Sequence, residues 1–305
     1  MKPRKSHNLD STASHSSGPR MILILSLILL SLALLGHFFC MTSTQPLTDL
    51  SQINRYPFFN EHILGTDSLG RDIFVMACIG ARNSLAIGLL AALIAVCFGT
   101  FWGAIAAIVS PLISSLMMRT VDALLAIPSL ILLLALSALI NRPDFINVLP
   151  QSVLDLLGAS KSSLGILPVI SIILVIASTS WLEAARIAFS KIASIRSEEY
   201  IEAALSLGAG KTWVLRRHLI PNARSIILIQ TSLLISDAVV MEAGLGFLGL
   251  GAGPGTPSWG EMLRQAQTDL FYGNWWAPLI PALLISITIL TINLIGENMM
   301  GRVDG

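Results

Sequence analysis

Charge is what this sequence has least of. Only 12% of its 305 residues are Asp, Glu, Lys or Arg, against roughly a quarter in a soluble domain that must keep its surface wet. The deficit excludes an ordinary soluble domain, and a formal net charge of +1 supplies no basic field for a nucleic-acid backbone. Cysteine is nearly as sparse. Cys40, Cys78 and Cys97 lie in or beside apolar runs without metal-ligand spacing, and an odd number of thiols builds no disulfide framework, so they read as small core residues. Catalytic patterns are missing as well. His7, His15, His37, His62 and His218 are scattered, and neither His-Glu-x-x-His nor Gly-x-Ser-x-Gly occurs. An intramembrane enzyme would need polar groups converging at one depth, and that convergence is not evident.

What the chain has is apolar length. Hydrophobic residues make up 54% and mean hydropathy is +0.75. A membrane-crossing helix needs about 20 mostly apolar residues. Such stretches occur at Met21–Met41, Asn83–Val109, Val121–Ile140, Ser162–Leu182, Arg224–Met241 and Ala277–Gly296. The fold class is therefore an all-α integral membrane protein with about six spans. The first span follows a Ser/His-rich tail and ends His37-Phe38-Phe39-Cys40 without a small-x-small cleavage pattern, so it reads as a retained anchor. Gly99 and Gly103 form a small-residue pair on which another helix could close, and Pro128 should kink the third span.

Lys and Arg set the orientation. With the N-terminus in the cytoplasm, 13 fall inside and 6 outside, which favours both termini inside. The plan is a cytoplasmic tail at 1–20, a first transmembrane helix at 21–41 and a periplasmic segment at 42–82. A core of five further transmembrane helices follows at 83–298, with a large cytoplasmic loop at 186–224 and a short cytoplasmic tail at 299–305.

That loop reads as two short helices around a glycine turn. Ser197 can cap the first, with Glu198 and Glu199 at the positive end of its dipole, and Gly208-Ala209-Gly210 can reverse the chain. Thr212 can cap a second helix carrying Trp213, before Pro221. Gly210-Lys211-Thr212 mimics the end of a phosphate-binding loop, but Leu205 stands where that motif needs its first glycine. The chain offers no nucleotide site of its own.

Asp237 lies inside the fifth span, where a carboxylate is costly unless paired or wet. Gln230, Thr231, Ser232 and Ser236 precede it and Glu242 follows. Ser232, Ser236, Asp237 and Glu242 are the candidate substrate path; an inter-subunit hydrogen bond or a snorkelling end residue are the other readings of Asp237. The Gly/Pro-rich stretch from Gly244 to Pro257 reads as an irregular outer segment or a plain linker, and Trp259, Trp275 and Trp276 suit a membrane interface.

The loop resembles the EAA loop of binding-protein-dependent ABC permeases: Glu202-Ala203-Ala204, then Gly208, then a Pro221 ending. It departs from that pattern at His218 and Ile220, and from the peptide-importer branch at Phe189 and Ser197. Three other blocks, His62–Gly88, Val121–Leu130 and Met241–Leu263, resemble the C-type permease of oligopeptide and dipeptide importers. The resemblance implies a type I importer permease in a bacterial inner membrane, moving short peptides, with nickel complexes or glutathione as alternative cargo. It implies a heterodimer with a second permease, two ATPase subunits that hold ATP and Mg, and a periplasmic binding protein. This chain would bind no cofactor. ATPase coupling falls on Glu198, Glu199, Tyr200, Glu202, Ala203, Ala204, Gly208, Ala209 and Pro221. A self-sufficient secondary transporter would carry internal repeats, and none is visible.

Overall fold

The computed structural model describes residues 18–41, 48–58, 62–140, 166–253 and 256–303. Among these it is helical, with one isolated bridge between Thr66 and Asp72. The helices are α1 (Gly18–Met41), α2 (Ile73–Ile108), α3 (Pro111–Leu125), α4 (Ser129–Ile140) and α5 (Leu167–Arg196). They continue with α6 (Glu199–Ser206), α7 (Lys211–Val214), α8 (Ile220–Phe247), α9 (Trp259–Phe271) and α10 (Trp276–Val303). Five segments are long and apolar enough to cross a membrane, and a sixth if α3 and α4 are one broken span.

Helix α1 keeps Leu23, Leu30, Leu34 and Phe38 exposed while Leu29 is buried. That suits a helix touching protein along one line and hydrocarbon elsewhere. The line passes through Gly36, where any side chain would collide with the carbonyl of Cys78 on α2.

Helix α2 begins at Ile73, so the helical core reaches back into the 42–82 segment and does not wait for Asn83. Asp72 supplies the start: its Oδ1 accepts from the amides of Phe74 at 2.7 Å and Val75 at 3.2 Å, satisfying donors that a helix N-terminus otherwise leaves orphaned. Arg82 is simply carried along the helix. With 36 residues at 1.5 Å each, α2 is about 54 Å long and overshoots a hydrocarbon core of roughly 30 Å. Residues 48–58 and 62–72 fold around its projecting end. There Asp67 holds its own turn, accepting from the amides of Leu69 and Arg71 at 2.9 and 2.8 Å and from Arg71 Nε at 2.8 Å.

The most extensive pairing is α2 with α5. It depends on the Gly99/Gly103 pair: a Cβ at Gly99 would lie 2.8 Å from Ala185 N and one at Gly103 2.7 Å from Phe189 N. Helix α8 crosses both, touching α2 at Gly88 through Val239. Helix α10 closes on α8 where Gly296 meets the Ser232 hydroxyl.

Four features differ from the sequence-based plan. Pro128 does more than kink the third span: α3 and α4 meet at 85°, because the proline donates no amide and the chain turns through Ile127 N–H to Leu124 O at 3.1 Å. Helix α5 passes Leu182 without a breaker and stops only at Arg196, so the 186–224 loop shrinks to its second half; Ser162 to Gly165 lie outside the described residues. Helix α8 continues through Gly244 and Gly246 to Phe247, since Gly246 is needed where α9 crosses: a Cβ there would lie 2.9 Å from Gly260 Cα. Only the stretch after Phe247 is irregular. Helix α10 likewise carries part of the 299–305 tail to Val303. Trp275 is exposed as an interface residue would be, but Trp259 and Trp276 are buried.

Candidate functional site

The loop after α5 is a rigid bracket. Arg196 donates to the carbonyl of Ala107, tying the end of α5 to the end of α2. Ser197 does not cap the next helix. Its hydroxyl donates back to Ser194 O at 2.8 Å, and Glu198 takes the extended N-cap position without a side-chain bond. Thr212 likewise falls inside α7, whose N-cap is Gly210. Glu199 and Glu202 sit in the first turn of α6, where the dipole favours negative charge. Ile201, Val214 and Leu219 are buried in one cluster with Ala104, Ile192 and Ala223. That cluster clamps α6 and α7 to α2, α5 and α8.

Helix α6 ends in a paired turn. Ala209 N–H bonds Ala204 O at 3.1 Å and Gly208 N–H bonds Leu205 O at 3.0 Å, the two bonds of a Schellman motif. Gly208 holds φ +93°, with nothing near enough to touch an added Cβ. The glycine is thus required by backbone conformation alone. Ala204, Leu207, Gly208, Ala209, Gly210 and Trp213 line an open concavity of about 700 Å³. Leu207 is 90% and Trp213 54% exposed, an unusual display of large apolar groups on a turn. His218 supports this rim, with ring centroids 5.1 Å from Trp213 and 6.2 Å from Tyr200. Asn222 Nδ2 donates to Tyr200 Oη at 2.8 Å.

Pro221 does not break the chain. A π-helical turn, Leu215–Leu219, precedes it, and Ile220 N–H bonds Leu215 O. The wider turn absorbs the missing amide and the proline ring, making α7 to α8 one continuous element from Lys211 to Phe247. Of the coupling candidates, Glu198, Glu199, Tyr200, Glu202, Ala203, Gly208 and Pro221 are exposed, and Ala204 and Ala209 are partly covered. All lie on this one bracket. Leu207 and Trp213 were not among the coupling candidates, Trp213 being read only as part of the second short helix, although apolar residues off the buried phase of a short helix were the available signal.

The path candidates do not converge. Ser236 Oγ donates to Asn293 Oδ1 on α10 at 3.0 Å, and Ser232 faces Gly296 on the same helix. Glu242 is wholly buried beside the hydroxyls of Ser84 and Ser258. Those oxygens accept from Trp259 N–H at 3.1 Å and Glu261 N–H at 3.3 Å, and the carboxylate forms no well-aligned hydrogen bond of its own among the described residues. It serves the seat of α9. Of these, Asp237 alone opens onto a cavity of about 140 Å³ at the α3–α4 break, which Glu183 of α5 also lines. Glu183 was hidden because it is the first charge after an apolar run and reads as the end of a span.

The long apolar helices, with a bracket clamped to their ends, form a multi-helix membrane bundle. The family described as "Binding-protein-dependent transport system inner membrane component" matches residues 99–305, and the chain belongs to it. It is a multi-pass membrane protein. It is 31% identical over 284 residues to the dipeptide transport system permease protein DppC of Bacillus subtilis, covering 92% of this chain and 80% of that one. It is 30% identical to the glutathione transport system permease protein GsiD of Pectobacterium atrosepticum, covering 91% and 83%. A structure of the MetNI methionine ABC transporter in inward-facing conformations aligns with TM-score 0.54 at 18% identity, covering 73% of this chain and 94% of that one. That likeness bears on the fold alone.

Proposed function

We propose that this chain forms half of the membrane path of an ATP-driven importer of short peptides. It is a transport subunit without an ATPase site of its own. Two partner ATPases hold ATP and Mg, a second permease completes the path, and a binding protein delivers cargo from the periplasm. The observation that carries this reading is the bracket. A turn clamped through Ile201, Val214 and Leu219 moves with the helices it is pinned to, so a push on Leu207 and Trp213 reaches α2, α5 and α8.

The count of 13 Lys and Arg against 6 supports a cytoplasmic position for this bracket and both termini. A dipeptide permease and a glutathione permease among the relatives support a short peptide as cargo, and glutathione, itself a tripeptide, is the second reading; nickel complexes have no feature here in their favour. The test is uptake of labelled di- and tripeptides by the complete importer in proteoliposomes. Uptake that requires ATP, the binding protein and this chain is expected. Transport persisting without the ATPases would contradict the proposal.

A further inference from the structure

The cavity at the α3–α4 break has a chemistry of its own. Glu183 and Asp237 enter it from α5 and α8. Both are exposed in the isolated chain, Glu183 near the middle of span Leu167–Arg196 and Asp237 in the last third of span Lys211–Phe247. A carboxylate facing hydrocarbon within a span costs about 2.5–3.5 kcal/mol near its centre even on the mildest scale. This face therefore meets water or protein.

The polar lining is two carboxylates, Glu183 and Asp237, and three hydroxyls, Ser129, Thr179 and Ser180, which donate as well as accept. Thr179 spends its proton on Ile176 O at 2.9 Å, leaving lone pairs free. Ser180 is 3% exposed and lines the cavity. Its only partner among the described residues is the Met241 sulfur at 3.9 Å, a weak acceptor, so a buried hydroxyl there lacks a strong partner. Among the described residues no Lys, Arg or His lines the cavity. Arg186, one turn nearer the bracket, faces Asp122 at 3.9 Å.

We propose that this cavity is a cation-binding station on the path, where Glu183 and Asp237 receive a protonated amine of the cargo, its α-ammonium group or a lysine or arginine side chain. Two carboxylates from different helices suit the spread of donors on an ammonium or guanidinium group. No group of three or more His, Cys, Asp or Glu that could hold a metal occurs among the described residues, and a space of about 140 Å³ has room for an ammonium or guanidinium head with water rather than for a whole peptide. This inference rests on the permease reading for its cargo, but the cation site itself can be tested apart from it.

The experiment compares the assembled importer with Asp237→Asn, Glu183→Gln and the double variant, in two arms. In the binding arm, heat stability is measured with lysinamide, with the N-acetylated, uncharged-side-chain control N-acetylalaninamide, and with sodium or potassium chloride. Lysinamide is expected to stabilise wild type, the neutral amide and the salts much less, and the double variant is expected to lose the effect. Equal shifts in wild type and double variant, or salt acting as well as the amine, overturn the proposal. In the transport arm, the double variant is expected to slow uptake of Ala-Lys-Ala by about tenfold, a modest loss of binding energy, and N-acetyl-Ala-Glu-Ala by far less. Equal slowing of both peptides overturns the cation station and leaves a structural role. If wild type moves no peptide while the binding arm behaves as expected, the peptide reading fails and the cation site stands.

Discussion

At the scale of single residues, Gly208 shows how little contact a functional position can have. Nothing lies within reach of its missing Cβ, yet φ is +93°. A β-branched side chain there is strained by about 1–2 kcal/mol, whereas asparagine visits that region more readily. Gly208→Val is therefore expected to weaken ATPase retention and uptake several-fold with normal membrane insertion, and Gly208→Asn to keep most of both. Co-purification and uptake measured side by side check this; equal behaviour of Val and Asn would remove backbone conformation as the cause. The glycine was legible in sequence because helix-ending glycines follow a known offset from the helix. Ser232, Ser236 and Asp237 were legible as polar, but not their direction. Neighbours on a helix point about 100° apart, so Ser236 meets α10 while Asp237 meets the cavity. Helical phase relative to partners is a tertiary property.

At the scale of elements, the spans were legible because they are long and uncharged, and their ends were not. Charge was a poor guide: Arg82 and Glu183 both sit within helices whose limits are set by Asp72 and by Ser197 after Arg196. Pro128 and Pro221 look alike in sequence, yet one yields an 85° break and the other a continuous helix with a π turn before it. The difference lies in what the neighbouring turns can absorb.

The 48–72 segment and α9 show a second effect of burial. Asp269 is 1% exposed, and burial raises its carboxyl above the ordinary 3.8, against the opposing pull of the bond from Ser68. An acid whose folded value is raised binds its proton more tightly when folded, so stability falls as pH climbs from 3.8 through the raised value and stays lowered at neutral pH. Asp269→Asn keeps an acceptor for Ser68 N–H without the charge. It is expected to melt about 2 °C higher than wild type at pH 7, with the gain shrinking as pH falls toward 3.8. A gain that grows on acidification would contradict the burial argument.

At the scale of the whole molecule, the fold separates three tasks. Residues 48–58 and 62–72 with α9 form one end, the α3–α4 break opens a charged cavity between, and the bracket occupies the other end. The central claim is that the bracket, through its exposed apolar rim, transmits force between ATPase and path. Leu207→Asp tests it most directly, because Leu207 is 90% exposed and its loss cannot disturb the buried cluster. The measurement is ATPase co-purification, ATP turnover and peptide uptake by the complete importer, wild type and variant together. The expected result is normal insertion and pairing with the second permease, ATPase retention reduced by tenfold or more (about 1.4 kcal/mol of docking) and uptake lost in proportion. Wild-type retention with wild-type uptake would contradict the claim that this bracket is where the ATPase engages.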